Sequence, residues 1–192
     1  MLDFLRLSLQ ALFRSYRSFV VYNWLFFGAI IVGVLLAQAN MRLLPIGEEV
    51  QAFDSSNVGF MVLGIFLFNL VLSGFVLTTL PGLVFFALPS VFLFYRAFVW
   101  GILLNQLFTP QFLAALPTLI LEGEGYVLAA ICGTNLGLSW FKPDWAYKNK
   151  GFSRLEALKM ASRECVHLYF FVVIFLVVAA VVEAVTIVSF AG

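Results

Sequence analysis

The chain has 192 residues, of which 63% are hydrophobic and 11% are charged, and its formal net charge is +1. A soluble domain carries about 25% charged residues, so this composition excludes a conventional globular domain with a water-facing surface. The mean hydropathy of +1.05 and the 23 phenylalanines predict a single membrane domain over residues 1–192. The basic residues are dispersed along the chain, so the charge pattern gives no indication of nucleic acid binding.

The spacing of residues 1–17 predicts an amphipathic helix in the membrane interface. We expect Arg6, Arg14 and Arg17 to lie among anionic lipid headgroups. A plain N-terminal extension of the first span is the alternative. The segment has no continuous apolar stretch and no small-residue cleavage site, so we do not expect a cleavable signal.

Long apolar stretches after residue 17 predict about five membrane-spanning helices, since about 20 apolar residues cross a bilayer core. No Asp, Glu, Lys or Arg occurs from Ser55 to Tyr95, which is too long for one span. Residues 78–82 (Thr-Thr-Leu-Pro-Gly) supply a turn there, so we expect a tight helical hairpin. The predicted spans cover residues 19–38, 57–79, 83–105, 112–140 and 167–190.

The fourth span is long for one helix and has an unusual centre. Pro117 and the Glu-Gly-Glu-Gly run at residues 122–125 predict that it is broken or locally unwound, either as one broken helix or as a re-entrant segment. Ala129, Gly133 and Gly137 then recur every four residues. Such a stripe of small residues predicts the close approach of another helix.

Residues 141–166 carry six basic and three acidic side chains. By the positive-inside rule we expect this loop in the cytoplasm. We therefore expect an integral protein of the cytoplasmic (inner) membrane, with its N-terminus in the cytoplasm and its C-terminus outside. We expect Lys148, Lys150 and Arg154 to contact anionic lipid. Ser153 and Glu156 have the spacing of a capping box, which predicts that a short surface helix follows Ser153.

A set of polar residues falls inside the predicted spans: Asn69, Arg96, Glu122, Glu124 and Glu183. Counting along the helices from the predicted outer ends places Arg96, Asn69, Glu122 and Glu183 at depths of about 10–18 Å. One interpretation is structural, with Arg96 paired to Glu122 or Glu124. The other is a path for protons, ions or small solutes, because buried carboxyl groups must be protonated, hydrated or paired.

No residue pattern indicates catalysis, a cofactor or a metal site. Cys132 and Cys165 lack metal-ligand spacing, and we expect no disulfide between them. The single histidine, His167, lies at the predicted cytoplasmic edge of the fifth span, where an anchoring role is the ordinary one. We therefore expect a protein that is not an enzyme.

The order of features resembles the stage II sporulation protein M family. The resemblance rests on Asn69, the hairpin that follows it, and the run Pro117-x4-Glu122-x6-Ala129-Ala130-x2-Gly133. The chain departs from the family pattern at Leu70 and Thr118, where the family has Asn and His. The resemblance implies a five-span membrane protein with Glu122 as its most characteristic charged residue, and the family's namesake works with peptidoglycan-degrading partners.

Together these features predict a non-catalytic membrane subunit of an envelope-associated assembly, acting in envelope remodelling or envelope-linked transport. One alternative is an ion, proton or small-solute transporter or channel that uses the intramembrane Glu and Arg residues. Another is a permease component served by a separate ATPase, which would dock on residues 1–17 or 141–166. We expect a protein partner or a homo-oligomer in each case.

Overall fold

The computed structural model describes residues 2–39, 57–106, 110–147 and 151–191, and every element in these ranges is a helix. The all-α prediction is therefore confirmed. The acidic linker at residues 40–56 and the lipid-contacting Lys148 and Lys150 lie outside the described residues. The helices are α1 (Leu2–Arg14), α2 (Tyr16–Gln38), α3 (Val58–Leu67) with a π-helical continuation (Phe68–Thr79, the π segment), α4 (Pro81–Val84), α5 (Leu88–Gln106), α6 (Pro110–Phe141), α7 (Pro143–Tyr147) and α8 (Arg154–Ala191).

Several of these helices have the length and composition of membrane spans. Within the described residues, four are long and apolar enough to cross a bilayer: Tyr16–Gln38, Val58–Val84, Leu116–Phe141 and Arg154–Ser189. A shorter apolar helix covers Leu88–Leu104. An integral membrane protein is the class that these helices indicate, and the count of five spans remains a prediction.

The N-terminal segment forms a helix of its own, α1, and Ser15 separates it from α2. It packs against α8, where the Ser8 hydroxyl lies 3.2 Å from Nδ1 of His167. The Phe4 ring stacks at a tilt on His167, with 4.9 Å between the ring centroids. Phe13 on the opposite side is 74% exposed, which leaves an apolar surface for lipid.

The predicted turn at residues 78–82 is wrong in position. Thr78 and Thr79 still belong to the π segment, and Pro81 is the first residue of α4. Proline suits that position, because its missing N–H would have no partner in the first turn of a helix. The chain leaves helical geometry only at residues 85–87, where Phe85 is extended (φ −156°, ψ 125°).

The predicted break in the fourth span is also wrong, because α6 is continuous through Pro117 and Glu-Gly-Glu-Gly. Its glycines serve close packing instead. A Cβ atom added to Gly123 would lie 2.5 Å from the Phe26 ring of α2, and one added to Gly125 would lie 2.9 Å from Leu176 of α8. The irregular backbone falls in the second span, as the π segment.

The capping box before α8 is confirmed. The Ser153 amide and hydroxyl donate to the Glu156 carboxylate at 2.9 and 2.8 Å, and the Glu156 amide donates back to the Ser153 hydroxyl at 3.4 Å. The helix that starts there does not end at the membrane surface. It continues to Ala191, so the predicted surface helix and the predicted fifth span are one element.

The core is organised around α6, whose residues 126–132 are each at most 1% exposed. Close backbone approach holds the other helices in place. A Cβ atom at Gly33 of α2 would lie 3.0 Å from the Gly101 Cα of α5, so these two helices meet through glycines. A Cβ atom at Gly82 of α4 would collide with the Gly133 carbonyl of α6.

Candidate functional site

Polar side chains meet in the middle of the helix bundle around Glu122 of α6. The Asn69 amide of the π segment donates a hydrogen bond to the Glu122 carboxylate, and both residues are buried. Glu183 of α8 brings its carboxyl group within hydrogen-bonding reach of Glu122. Three helices thus place an amide and two carboxyl groups in contact.

Arg96 of α5 lies beside this group without touching the carboxylates. Its guanidinium donates to the Ser73 hydroxyl at 2.8 Å, and its Cζ atom lies 4.2 Å from the centroid of the Tyr126 ring. The expected direct ion pair of Arg96 with Glu122 or Glu124 is absent, and the salt bridge within the described residues joins Arg14 to Glu164. Arg96 therefore acts on Glu122 through space, from a position fixed by Ser73 and Tyr126.

Glu124 is separate from this group. Its carboxylate accepts a hydrogen bond from the Asn23 side chain of α2 at 3.3 Å. Residues two apart on a regular helix point about 200° away from each other, so a continuous α6 sends Glu122 toward α8 and Glu124 toward α2. The structure therefore brings together four of the five residues singled out in the sequence, and the polar cluster is defined here as Asn69, Ser73, Arg96, Glu122, Tyr126 and Glu183.

The π segment explains how the second span contributes several polar groups at once. Its buried residues are separated by about four to five positions, which matches the wide turn of a π-helix: Asn69, Ser73, Gly74, Thr78 and Thr79. The Thr78 and Thr79 hydroxyls donate to carbonyls five residues earlier, at 2.7 and 3.1 Å. π-Helical turns inside helices are frequent at functional sites.

The small-residue stripe of α6 faces the segment that joins the second and third apolar helices. The Ala129 carbonyl accepts a hydrogen bond from the Thr79 hydroxyl at 2.9 Å, and Tyr169 lies 2.6 Å from the same hydroxyl. A Cβ atom at Gly133 would lie 2.7 Å from the Thr79 carbonyl, and one at Gly137 would collide with the Gly82 carbonyl. These small residues allow the backbones to come into contact.

A second polar region lies where the C-terminal end of α1 and the N-terminal ends of α2 and α8 approach the C-terminal end of α6. It is a partly open cleft of about 580 Å³, here named the α1–α7 cleft. Its polar lining includes Arg14, Ser18, Asn135, Ser139, Tyr147 and Glu164. Burial, and after it the nearby charge of Glu164, raises the pKa of the Tyr147 phenol above its ordinary value, so Tyr147 remains a neutral hydrogen-bonding group at pH 7.

The family model for stage II sporulation protein M matches residues 20–186. The chain belongs to the stage II sporulation protein M family. The family resemblance predicted from the sequence is thereby confirmed, and membership fits an envelope-associated membrane protein. No curated protein and no solved structure matches the chain.

Most of the residues that carried the family resemblance lie along α6, and Asn69 lies in the π segment, which bonds to α6 through Glu122. Pro117 is in the N-terminal part of α6, Glu122 is in the polar cluster, and Ala129 and Gly133 contact the Thr79 region. Thr118, which departs from the family pattern, is buried, and its hydroxyl has no hydrogen-bond partner among the described residues.

Sequence reasoning missed three polar residues of the family member's core. Tyr126 follows Glu122 by four residues and Ser73 follows Asn69 by four, a spacing that places each pair on neighbouring turns. Asn23 was visible as an amide in an otherwise apolar span. The four-residue spacing is visible in the sequence. Tyrosine and serine are common in membrane helices, however, so this spacing alone does not identify them as members of a polar cluster.

Neither cysteine forms a disulfide, and the Cys132 thiol lies 3.9 Å from the Cys165 carbonyl oxygen. Within the described ranges, no three His, Cys, Asp or Glu side chains are grouped so as to hold a metal ion.

Proposed function

We propose that this chain is a non-catalytic integral membrane subunit of an envelope-associated assembly, and that a partner protein docks at the α1–α7 cleft. The observation that carries the proposal is the cleft itself. It is a partly open concavity of about 580 Å³, and charged, amide and hydroxyl side chains line it.

The cleft lies next to the basic segment around the start of α8, which by the positive-inside rule belongs on the cytoplasmic face. A cytoplasmic partner, such as an ATPase that serves a permease, reaches this face directly. A cell-wall hydrolase acts on the opposite side of the membrane. The cleft therefore favours a cytoplasmic partner that inserts a polar loop or helix end beside Arg14 and Glu164.

The test is photo-crosslinking in native membranes from two positions of α2. A photoreactive amino acid at Ser18 faces the cleft, while one at Val21, which is 62% exposed on the apolar surface, is the matched control. We expect a discrete protein adduct from position 18 and only lipid adducts from position 21. Adducts to lipid alone at both positions would contradict the docking proposal.

A second candidate function is an ion or small-solute path through the polar cluster. It is favoured by one observation, the contact between Glu122 and Glu183 inside an apolar bundle. Sodium and proton flux into liposomes, compared between wild type and Glu122→Gln, tests it. Flux that is abolished by Glu122→Gln would support the path, and equal leakage from both proteins and from empty liposomes would reject it.

A further inference from the structure

The polar cluster has the composition of a site for one proton. Glu122 and Glu183 lie within hydrogen-bonding reach of each other. An ionised carboxylate only accepts hydrogen bonds, so two carboxyl groups can bond to each other only when one of them carries a proton. We propose that Glu122 and Glu183 bind a single proton between them and hold it as a carboxylic acid–carboxylate pair, with the remaining negative charge balanced by Arg96.

The charged and titratable groups around the pair come from each element packed against it. The π segment supplies Asn69 and Ser73, which are neutral, and α5 supplies Arg96. Tyr126 comes from α6 itself, and Glu124 of the same helix bonds to Asn23 on the other side. One shared proton and one guanidinium leave the cluster with no net charge, which is the state that an apolar surrounding favours.

Tyr126 provides an observation independent of the two acids. It is 0% exposed, and its hydroxyl has no hydrogen-bond partner within the described residues, although Ser73 is a neighbour. Glu122 precedes Tyr126 by four residues on α6, and the Arg96 Cζ atom lies 4.2 Å from the centroid of the Tyr126 ring, so the side chain has charged neighbours of both signs. Since buried hydroxyls are normally paired, this one is available to donate to the pair, directly or through one ordered water.

The donors around the pair favour a proton over a metal cation. Asn69 turns its amide N–H toward Glu122, and Arg96 brings its positive charge beside the same carboxylate. Hard metal cations such as Ca²⁺ and Mg²⁺ need several oxygen ligands. The neighbours of this carboxyl pair instead present N–H groups and a positive charge. The proposal is independent of a partner at the α1–α7 cleft, and it holds whether or not the cluster belongs to a path.

Infrared spectroscopy of the protein in lipid nanodiscs at neutral pH tests the proposal, with ¹³C-labelled glutamate to assign the carboxylic acid C=O band. We expect Glu122→Gln and Glu183→Gln each to remove the same part of this band, and the double variant to remove no more than either single one. Glu164→Gln, outside the cluster, is the control and should leave the band unchanged. Tyr126→Phe should keep the intensity and shift the band, because the carbonyl loses a donor.

Several results would overturn the proposal. The absence of a labelled carboxylic acid band from the spectrum of the wild-type protein would overturn it without any comparison of variants. Additive losses in the double variant would mean two separately protonated acids. A thermal stability of wild type that rises in sodium chloride but not in choline chloride, and that loses this difference in Glu122→Gln, would mean a cation site.

Discussion

The hydrogen bond from the Asn69 amide to the Glu122 carboxylate joins the π segment to the central helix α6. Both side chains are buried, at 8% and 7% exposure. A polar contact at this depth is stabilising only while both partners are present, since removing one leaves the other without its bond in a low-dielectric interior.

Asn69→Leu should therefore destabilise the protein by about 1–3 kcal/mol, because it leaves Glu122 without its amide donor. Thermal unfolding in detergent measures the change. Val71→Leu, two residues away on the lipid-facing side of the same segment, is the control and should have little effect, since Val71 is 51% exposed. Equal stability of Asn69→Leu and wild type would show that the contact contributes nothing.

Arg96→Leu should destabilise the protein by about 3 kcal/mol, because it removes the positive charge that balances the acids of the cluster. Adding Glu122→Gln to Arg96→Leu should recover part of the loss, which a double-mutant cycle from unfolding curves measures. The coupling is expected although the two residues form no direct pair, because the interaction acts through space in an apolar interior. Strictly additive effects would contradict the charge-balance argument.

Much of the fold could be predicted from the sequence because it depends on local patterns. Apolar runs gave the class and most of the spans, and Ser153 with Glu156 gave the start of α8. The site was harder, because depth along a helix gives the height of a residue but not its direction. Arg96 and Glu122 were matched in depth, yet Ser73 and Tyr126 hold the guanidinium away from the carboxylate.

The errors in the prediction arose where one residue type has two physical uses. Glycine permits unwinding and also permits close packing, and only the neighbours decide between them. Gly123 and Gly125 pack against Phe26 and Leu176, which are far away in sequence. The π segment has no comparable signal in the local sequence. The spacing of its buried residues indicates a π-helix only once it is known which face of the segment is buried.

Gly82→Ala should destabilise the protein by about 1–3 kcal/mol, because the new Cβ atom collides with backbone atoms of Gly133 that cannot rotate away. Gly64→Ala is the matched control. A Cβ atom there meets nothing within 4 Å, so this change should be neutral or should stabilise α3 by about 0.5–1 kcal/mol. Thermal unfolding of both variants makes the comparison, and a Gly82→Ala variant as stable as Gly64→Ala would disprove the close approach of α4 and α6.

Cysteine labelling tests the orientation that the positive-inside rule predicts. In a background with Cys132 and Cys165 replaced by alanine, Lys150→Cys should react with a membrane-impermeant thiol reagent only from the cytoplasmic side. Gly192→Cys should react only from the opposite side. Reversed labelling would place the α1–α7 cleft outside and exclude a cytoplasmic ATPase as its partner.

The most direct test of the proposed subunit function is purification from native membranes in mild detergent, followed by native mass spectrometry of the intact assembly. We predict a second protein at near-equal stoichiometry, retained by Val21→Trp and released by Ser18→Trp, which fills the cleft. Recovery of the chain alone, as a monomer or as a homo-oligomer, from membranes of its own organism would contradict the account.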